Sequence, residues 1–373
     1  MVEIREAKST KEKKAFIDFQ NSLYKNVPQY VPTMMMDELQ SLNEKKNPAF
    51  EYCQMKLFLA YKNDQLVGRT AAILSNKANK KFDRKRLRIS RIDFIDDYEV
   101  SSALIDAVTE WAKELGMNEL SGPLGCCDLD KEGMLIEGFE QPSMFITYYN
   151  FPYYKDHFEK LGFTKDVDWI ENRVYTEALQ PEKLDRLCER IKARLGVKVF
   201  HLNSRAVIVP YVERVLGLVN EAFRHLYSVV ELSQRQMEYY AQQFLPLINP
   251  DYLVLVEKDS ELIAAGLLGP SLAEPMKKSN GRLFPFGFIP LLNAIKHPKV
   301  LDMYLVAVKD EYLNSGLPAL LMNDMLKIAQ KNGVEYAETG PELETNFKVR
   351  GLWNYFKCET EIRRRRSWKK SID

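Results

Sequence analysis

Apolar and polar positions along the chain switch between a period near 3.6 and a period of 2, and the switches mark out a series of predicted elements. Residues 10–25 have helical spacing, with Phe16, Phe19, Leu23 and Tyr24 on one face and Ser9 and Thr10 as N-cap candidates. Pro28, Pro32 and Pro48 punctuate a loop with a short helix near 34–42. Two β-rich runs, 57–61 and 66–73, flank Asn63-Asp64 and predict a hairpin. A strand over 86–95, a helix over 100–115 closed by Gly116, a strand over 117–121, a long Gly-rich loop, a short helix within 150–164 and a strand over 168–175 follow. After a helix over 184–195 the same kinds of pattern return. A strand starts at 197–202, helices span 211–227 and 234–244, and a second hairpin covers 252–268. A Gly- and Pro-rich loop over 270–290 carries Phe284, Phe286 and Phe288. A strand over 304–308, a helix from 319 to Gly333, a strand over 335–339, a helix over 347–356 and a strand within 358–368 complete the chain.

The order of elements therefore repeats, which points to a long-period internal duplication. Leu66 corresponds to Leu262, a shift of 262 − 66 = 196, and His157 to Leu352, a shift of 352 − 157 = 195. Ala103 corresponds to Ala319, a shift of 216, which requires an insertion near the Phe-rich loop of the second half. The partition read from this is an N-terminal domain over 1–178, a linker helix over 179–196 and a C-terminal domain over 197–373. The fold class expected is α/β (α+β), each domain a mixed, mostly antiparallel sheet flanked by helices.

Within the second half, 301–333 reads as strand, tight polar loop and helix. Gly316 and Pro318 suit the start of that helix, since proline in the first turn lacks only an N–H that has no helical partner. Such a helix start presents free amides and a positive dipole end, a place for a phosphate.

Composition narrows the functional classes. The chain has 373 residues, 46% hydrophobic and 28% charged, with a net charge of +1. That balance gives no whole-chain field toward nucleic acid or an anionic membrane. No apolar run reaches the ~18 residues needed to span a bilayer, and the charged N-terminus lacks the apolar core of a signal peptide. The five cysteines are Cys53, Cys126, Cys127, Cys188 and Cys358; without a CxxC pair they read as reduced thiols, so a cytoplasmic location is expected. The four histidines form no metal-ligand spacing, and no metal is expected. The run Arg363, Arg364, Arg365 and Arg366 is expected to be a solvated sheet edge.

Three stretches carry a family resemblance, the third of them near the C-terminus. The segment VKDEYLNSGLPALL, 308–321, resembles the acyl-CoA loop of the GNAT acyltransferase superfamily, whose pattern is Gln/Arg-x-x-Gly-x-Gly/Ala. Leu313 takes the Gln/Arg place, Gly316 the central glycine and Pro318 the final Gly/Ala. HFEKLGF, 157–163, resembles the L-Y-E-K-L-G-F ending of the family's fourth helix, with Phe158 in the tyrosine place. The resemblance implies tandem GNAT-like domains over nearly the whole chain. The equivalent loop of the first half, 97–103, has no glycine, and Asp96, Asp97 and Glu99 would repel a pyrophosphate. Cofactor binding is therefore expected only in the second half.

What the resemblance implies there is an N-acyltransferase that uses acetyl-CoA or another acyl-CoA as donor and a small-molecule or peptide amine as acceptor. Val306 and Val308 would lie on the open strand edge facing the pantetheine arm, with an amide near Val306 stabilising the oxyanion. The amides of Asn314, Ser315, Gly316, Leu317 and Ala319, around Pro318, would hold the pyrophosphate. NFKVRGLW, 346–353, resembles the family's N-x-x-A-x-x-L-Y segment, so Asn346 would contact the cofactor arm. Trp353 stands where a tyrosine often protonates the leaving thiolate; indole does not titrate usefully, which makes Tyr355 the candidate acid. Glu338 is the candidate base, with Glu342 and Glu344 on the same side of the cleft. The Phe-rich loop offers an apolar lining for a longer acyl chain. Two alternatives share the layout: an aminoacyl-tRNA-dependent peptidoglycan-type transferase, in which tRNA would be the partner, and a binding protein whose cofactor loops have decayed.

Overall fold

The computed structural model describes residues 1–202 and 204–372. In chain order the elements are β1 (Val2–Glu6), α1 (Thr10–Leu23), α2 (Met35–Ser41), β2 (Cys53–Lys62), β3 (Gln65–Ser75), α3 (Asn76–Phe82), β4 (Arg86–Phe94), α4 (Tyr98–Glu114), β5 (Glu119–Gly122), β6 (Met134–Glu137), α5 (Tyr153–Lys160) and β7 (Thr164–Ala178). They continue with α6 (Pro181–Leu195), β8 (Lys198–His201), α7 (Arg205–Phe223), α8 (Gln234–Phe244), β9 (Leu253–Lys258), β10 (Glu261–Pro270), α9 (Ala273–Ser279) and α10 (Phe288–Lys296). Last come β11 (Val300–Val308), α11 (Leu317–Lys331), β12 (Tyr336–Thr339), β13 (Glu342–Leu343), α12 (Phe347–Arg350) and β14 (Phe356–Ser371). Among the described residues, no helix is long and apolar enough to cross a membrane.

The chain divides into two compact units. One comprises Met1–Trp169, Ala273–Phe288 and Arg363–Asp373; the other comprises Ile170–Leu272 and Ile289–Ile362. This differs from the linear partition at 178 and 197. The division falls inside β7, between Trp169 and Ile170, and inside β14, between Ile362 and Arg363. α6, read as a linker, packs Leu184, Cys188 and Ile191 into the core of the second unit.

In the first unit the strands run β1-β2-β3-β4-β5, followed by the C-terminal part of β14 against β5. The pair β4–β5 is parallel and its neighbours are antiparallel. In the second unit the order is β8-β9-β10-β11-β12-β7, and β11–β12 is its parallel pair. Each hairpin closes on two left-handed residues, Asn63 and Asp64 in the first and Asp259 and Ser260 in the second. That conformation suits a two-residue turn, and Asn and Asp tolerate it best. The two turns are offset by 259 − 63 = 196, the shift read from the sequence.

A helix covers each hairpin. α4 buries Val100, Leu104, Ile105 and Val108, and α11 buries Leu317, Leu320, Leu321, Met325 and Leu326. Burying each such side chain stabilises the fold by roughly 1.5–3 kcal/mol. Close approach needs a glycine in the strand beneath. A Cβ at Gly68 would stand 2.9 Å from Leu104 and Val100, and one at Gly266 would stand 2.2 Å from the Met325 sulfur.

Three local expectations change. The loop over 270–290 contains α9 and the start of α10. The single helix over 347–356 is one α-turn, α12, followed by a 3₁₀ turn over Gly351–Tyr355. The arginine run is not a solvated edge: Arg363 and Arg365 are 0% exposed. Arg363 donates to the Pro142 carbonyl and Arg365 to the Tyr148 carbonyl and, at 2.9 Å, the Thr147 hydroxyl. Arg366 points the other way, to Asp168 at 2.7 and 3.0 Å. Alternation along a strand puts both faces of the run to use.

Candidate functional site

In both units the parallel pair is short and the two strands then part. β11 and β12 pair from Val300–Tyr336 to Met303–Thr339, and Gly340 N–H donates to the Met303 carbonyl at 3.2 Å. Beyond that point β11 runs on to Val308 against β10, while the other chain turns away into β13, which pairs with β7. Tyr304 is the extra residue of a β-bulge at the parting point, since Leu267 pairs with Leu305 and Leu268 with Met303. Among the described residues, the segment 304–308, with Val306 and Val308, therefore has one edge without a strand partner.

The polar loop leaves the end of β11 and turns at Gly316 into α11. Gly316 has φ +85°, and a Cβ there would stand 2.7 Å from Ile191 of α6. Within the loop, Ser315 N–H bonds the Tyr312 carbonyl at 3.1 Å, Leu317 N–H the Ser315 hydroxyl at 3.2 Å and Ala319 N–H the Gly316 carbonyl at 3.1 Å. Pro318 has no N–H. Among the described residues, the amides of Asn314 and Gly316 have no hydrogen-bond partner. Arg194, on α6, donates to the Ser315 carbonyl and brings its cation to the bend. The loop thus offers an anion two open amides, one guanidinium and a helix start.

The other side of the opening holds the acids. Glu338 is 7% exposed and paired with Arg173, whose Nη2 lies at 2.8 Å; Arg173 also reaches Glu359 at 3.1 Å. Glu342, two residues past the last β11–β12 bond, sits differently. It accepts from the Trp353 indole at 3.2 Å and from the Asn172 amide at 3.4 Å. Burial pushes its carboxyl up to about 7, against the lowering effect of Trp353, Thr339 and Arg350. Trp353 and Asn172 line a cleft of about 530 Å³ together with Arg350, Phe347, Cys358 and Glu361. Arg350 and Glu361 form an ion pair at 2.9 Å.

Asn346 is the N-terminal flank of α12; its N–H bonds the Leu343 carbonyl at 2.9 Å, and its carbonyl accepts from Arg350 at 3.2 Å. Tyr355 ends the 3₁₀ turn, is 42% exposed and is not among the residues that line the cleft. Glu338 therefore lies within the parallel pair, Glu342 just past the point where the strands part and Asn346 ahead of α12, while Tyr355 is at the surface. Arg194 and Asn172 were not singled out from the sequence. Each comes from an element distant in the chain, so no local motif marks it.

At the corresponding place in the first unit, Asp97 caps α4 by accepting from Glu99 N–H at 2.9 Å, and Lys62 bridges Asp97 at 2.6 Å and Glu99 at 2.8 Å. The helix start that would face a pyrophosphate is already covered by the chain's own carboxylates.

No family model matches the sequence. The chain is 27% identical over 369 residues to Protein YghO of Escherichia coli (strain K12), covering 96% of this chain and 93% of that one. It is 24% identical over 348 residues to a protein of Caulobacter vibrioides named bacterial ceramide synthase, covering 91% and 90%. Among solved structures it resembles a tandem GNAT protein from the clavulanic acid biosynthesis pathway, with a TM-score of 0.56 and 13% identity over 100% of this chain and 98% of that one. It also resembles a GCN5-related N-acetyltransferase from Sphaerobacter thermophilus, with a TM-score of 0.51 and 10% identity over 99% and 95%. Two similar sets of strands, each with a parted parallel pair and a covering helix, and full-length likeness to such structures together establish that this chain has the tandem GNAT fold.

Proposed function

We propose that the second unit binds an acyl-CoA at the Gly316 bend and transfers its acyl group to an amine, with Glu342 as proton acceptor. The observation that carries this reading is the parting of β11 and β12 next to an anion-ready bend. The open amides of Asn314 and Gly316, with Arg194, would hold the pyrophosphate, while Ser315, Leu317, Pro318 and Ala319 shape the turn. The edge at Val306 and Val308 would pair the pantetheine arm, and Asn346 would border it. An ammonium acceptor gives its proton to Glu342, whose affinity for a proton near neutrality suits that exchange. The free amine attacks the thioester carbonyl, the tetrahedral intermediate collapses to an amide with cleavage of the C–S bond, and the proton that the nitrogen sheds goes to the departing CoA thiolate. Glu338, held by Arg173, orients the wall beside this path.

The name of the Caulobacter relative supports amide formation as the chemistry. A ceramide is an amide of a fatty acid with a long-chain amino alcohol, so the acceptor class proposed is an amine on a long-chain molecule.

Calorimetric titration with acetyl-CoA and with a long-chain acyl-CoA tests the donor. Saturable binding is expected, weakened roughly 10-fold in Arg194→Glu by loss of one charge-assisted contact. No heat at millimolar donor would end the reading in favour of a protein that binds something else. Tyr355→Phe tests the remaining candidate acid: unchanged turnover removes Tyr355 from the reaction.

A further inference from the structure

Lys131 lies in the loop between β5 and β6 and is half-buried. Among the described residues, its ammonium has no ion pair and no hydrogen bond. Two rings flank it instead: Phe145, with its centre 5.4 Å from the nitrogen, and Tyr148, at 5.6 Å. The loop is pressed onto β14 at Gly133, where a Cβ would stand 2.8 Å from the Cβ of Arg365, and Arg365 donates to the Tyr148 carbonyl. Arg69 of β3 and Arg91 of β4 add their charges to the same surroundings. The acids there are engaged elsewhere. Arg69 holds Asp93 at 2.8 Å, Arg91 holds Glu38 of α2, and Asp130 accepts from Cys126 N–H at 2.7 Å. All of these residues belong to the first unit.

We propose that Lys131 is a nucleophilic amine that takes an acyl group from a small activated acyl donor, a thioester or an acyl phosphate. An ammonium kept from water and set among other cations gives up its proton readily. Here burial is the larger cause; Glu38 opposes it, and Arg365, Arg91 and Arg69 add to it, so that the amine is held down to about 8. About a tenth of such an amine is free base at pH 7, against well under roughly a thousandth of an ordinary lysine. The surrounding guanidiniums also draw an anionic donor toward the loop. The free amine attacks the acyl carbonyl. An N–C bond forms, the C–S or C–O bond breaks, its electron pair leaves with the thiolate or phosphate, and the proton shed by nitrogen goes to that leaving group. The product is a neutral amide, so the loop loses its cation. The inference goes beyond the acyl-transfer reading and does not rest on it, because the reacting amine lies in the first unit and needs nothing from the Gly316 bend.

The test is to incubate the full chain at pH 7 with acetyl phosphate and, separately, with acetyl-CoA, and to follow acetylation of each lysine by peptide mass spectrometry. Lys131 is expected to label roughly 10-fold faster than the exposed Lys80 and Lys81. Its rate should level off above about pH 8 while theirs keeps rising. Unfolding in urea should erase the advantage, because the fold creates it. Labelling by acetyl phosphate alone assigns an acyl phosphate as the donor, and labelling by acetyl-CoA alone assigns a thioester. Two results would overturn the proposal: Lys131 labelling no faster than Lys80 and Lys81 in the folded chain, or an advantage that persists in urea. Acetyl phosphate carries no CoA, so its reaction with Lys131 stands even if calorimetry finds no donor binding. Donor binding without labelling of Lys131 leaves the acyl-transfer reading standing while this one falls.

Discussion

At the scale of the residue, Glu342 and Asp168 show one chemical group tuned in opposite directions. Glu342 holds its proton up to about pH 7 because burial outweighs the donors around it. Since its folded value lies above the ordinary 4.5, folding takes up a proton between about pH 4.5 and pH 7, and its contribution to stability declines as pH rises through that window. Glu342→Gln should flatten that decline in a series of denaturant titrations. On the proposed acyl-transfer reading, the same variant should abolish a rise of activity through about pH 7, because the base proposed there would act in its ionised form. Asp168 is buried, which alone would raise it, but Arg366 and Lys165 outweigh burial and hold it below the usual carboxylate range. Its stabilisation is present at neutral pH and lost as pH falls through the folded value. Asp168→Ala should cost about 3 kcal/mol in urea unfolding, because Arg364 and Arg366 keep their charges in a half-buried place. The sequence placed Glu342 beside Glu338 and Glu344. It could not rank them, because the ranking comes from Trp353 and Asn172 on one side and Arg173 on the other.

At the scale of the element, the bend at Gly316 is set by backbone handedness and by what lies behind it. An L-residue in the left-handed region costs roughly 1–2 kcal/mol, and here an added methyl also meets Ile191. Gly316→Ala should therefore lower stability by about that amount and weaken donor binding more than Arg194→Lys does, as read by calorimetry. The strand, the loop and the helix start were legible because proline, glycine and a 3.6 period act locally. The cover supplied by α6 was not, since Ile191 and Arg194 reach the bend from more than a hundred residues away. The turn over Gly351–Tyr355 shows the opposite error. Its apolar spacing fits an α-helix, but the chain must pass at once into β14, and the tighter 3₁₀ winding makes that exit.

At the scale of the whole molecule, a duplicated order of elements does not make two contiguous pieces. Trp368 is buried in the first unit beside Phe158, and β14 supplies the partner of β5 from the far end of the chain. A chain ending at Ile362 should leave the first unit short of a strand and of a core tryptophan. The expected outcome is fast amide exchange across β5 and α5, with β9 and β10 still protected, as read by hydrogen exchange.

The sequence by itself determined the hairpins, their left-handed turns, the helices that cover them and the repeat at a shift near 196, because periodicity and turn chemistry act over a few residues. It also located the bend at Gly316. Only the tertiary structure decided where the units divide, which acid near the parted strands keeps a proton at neutrality and which arginines of the C-terminal run are buried. Those outcomes depend on desolvation and on partners distant in the chain, and neither is written in the order of neighbouring residues.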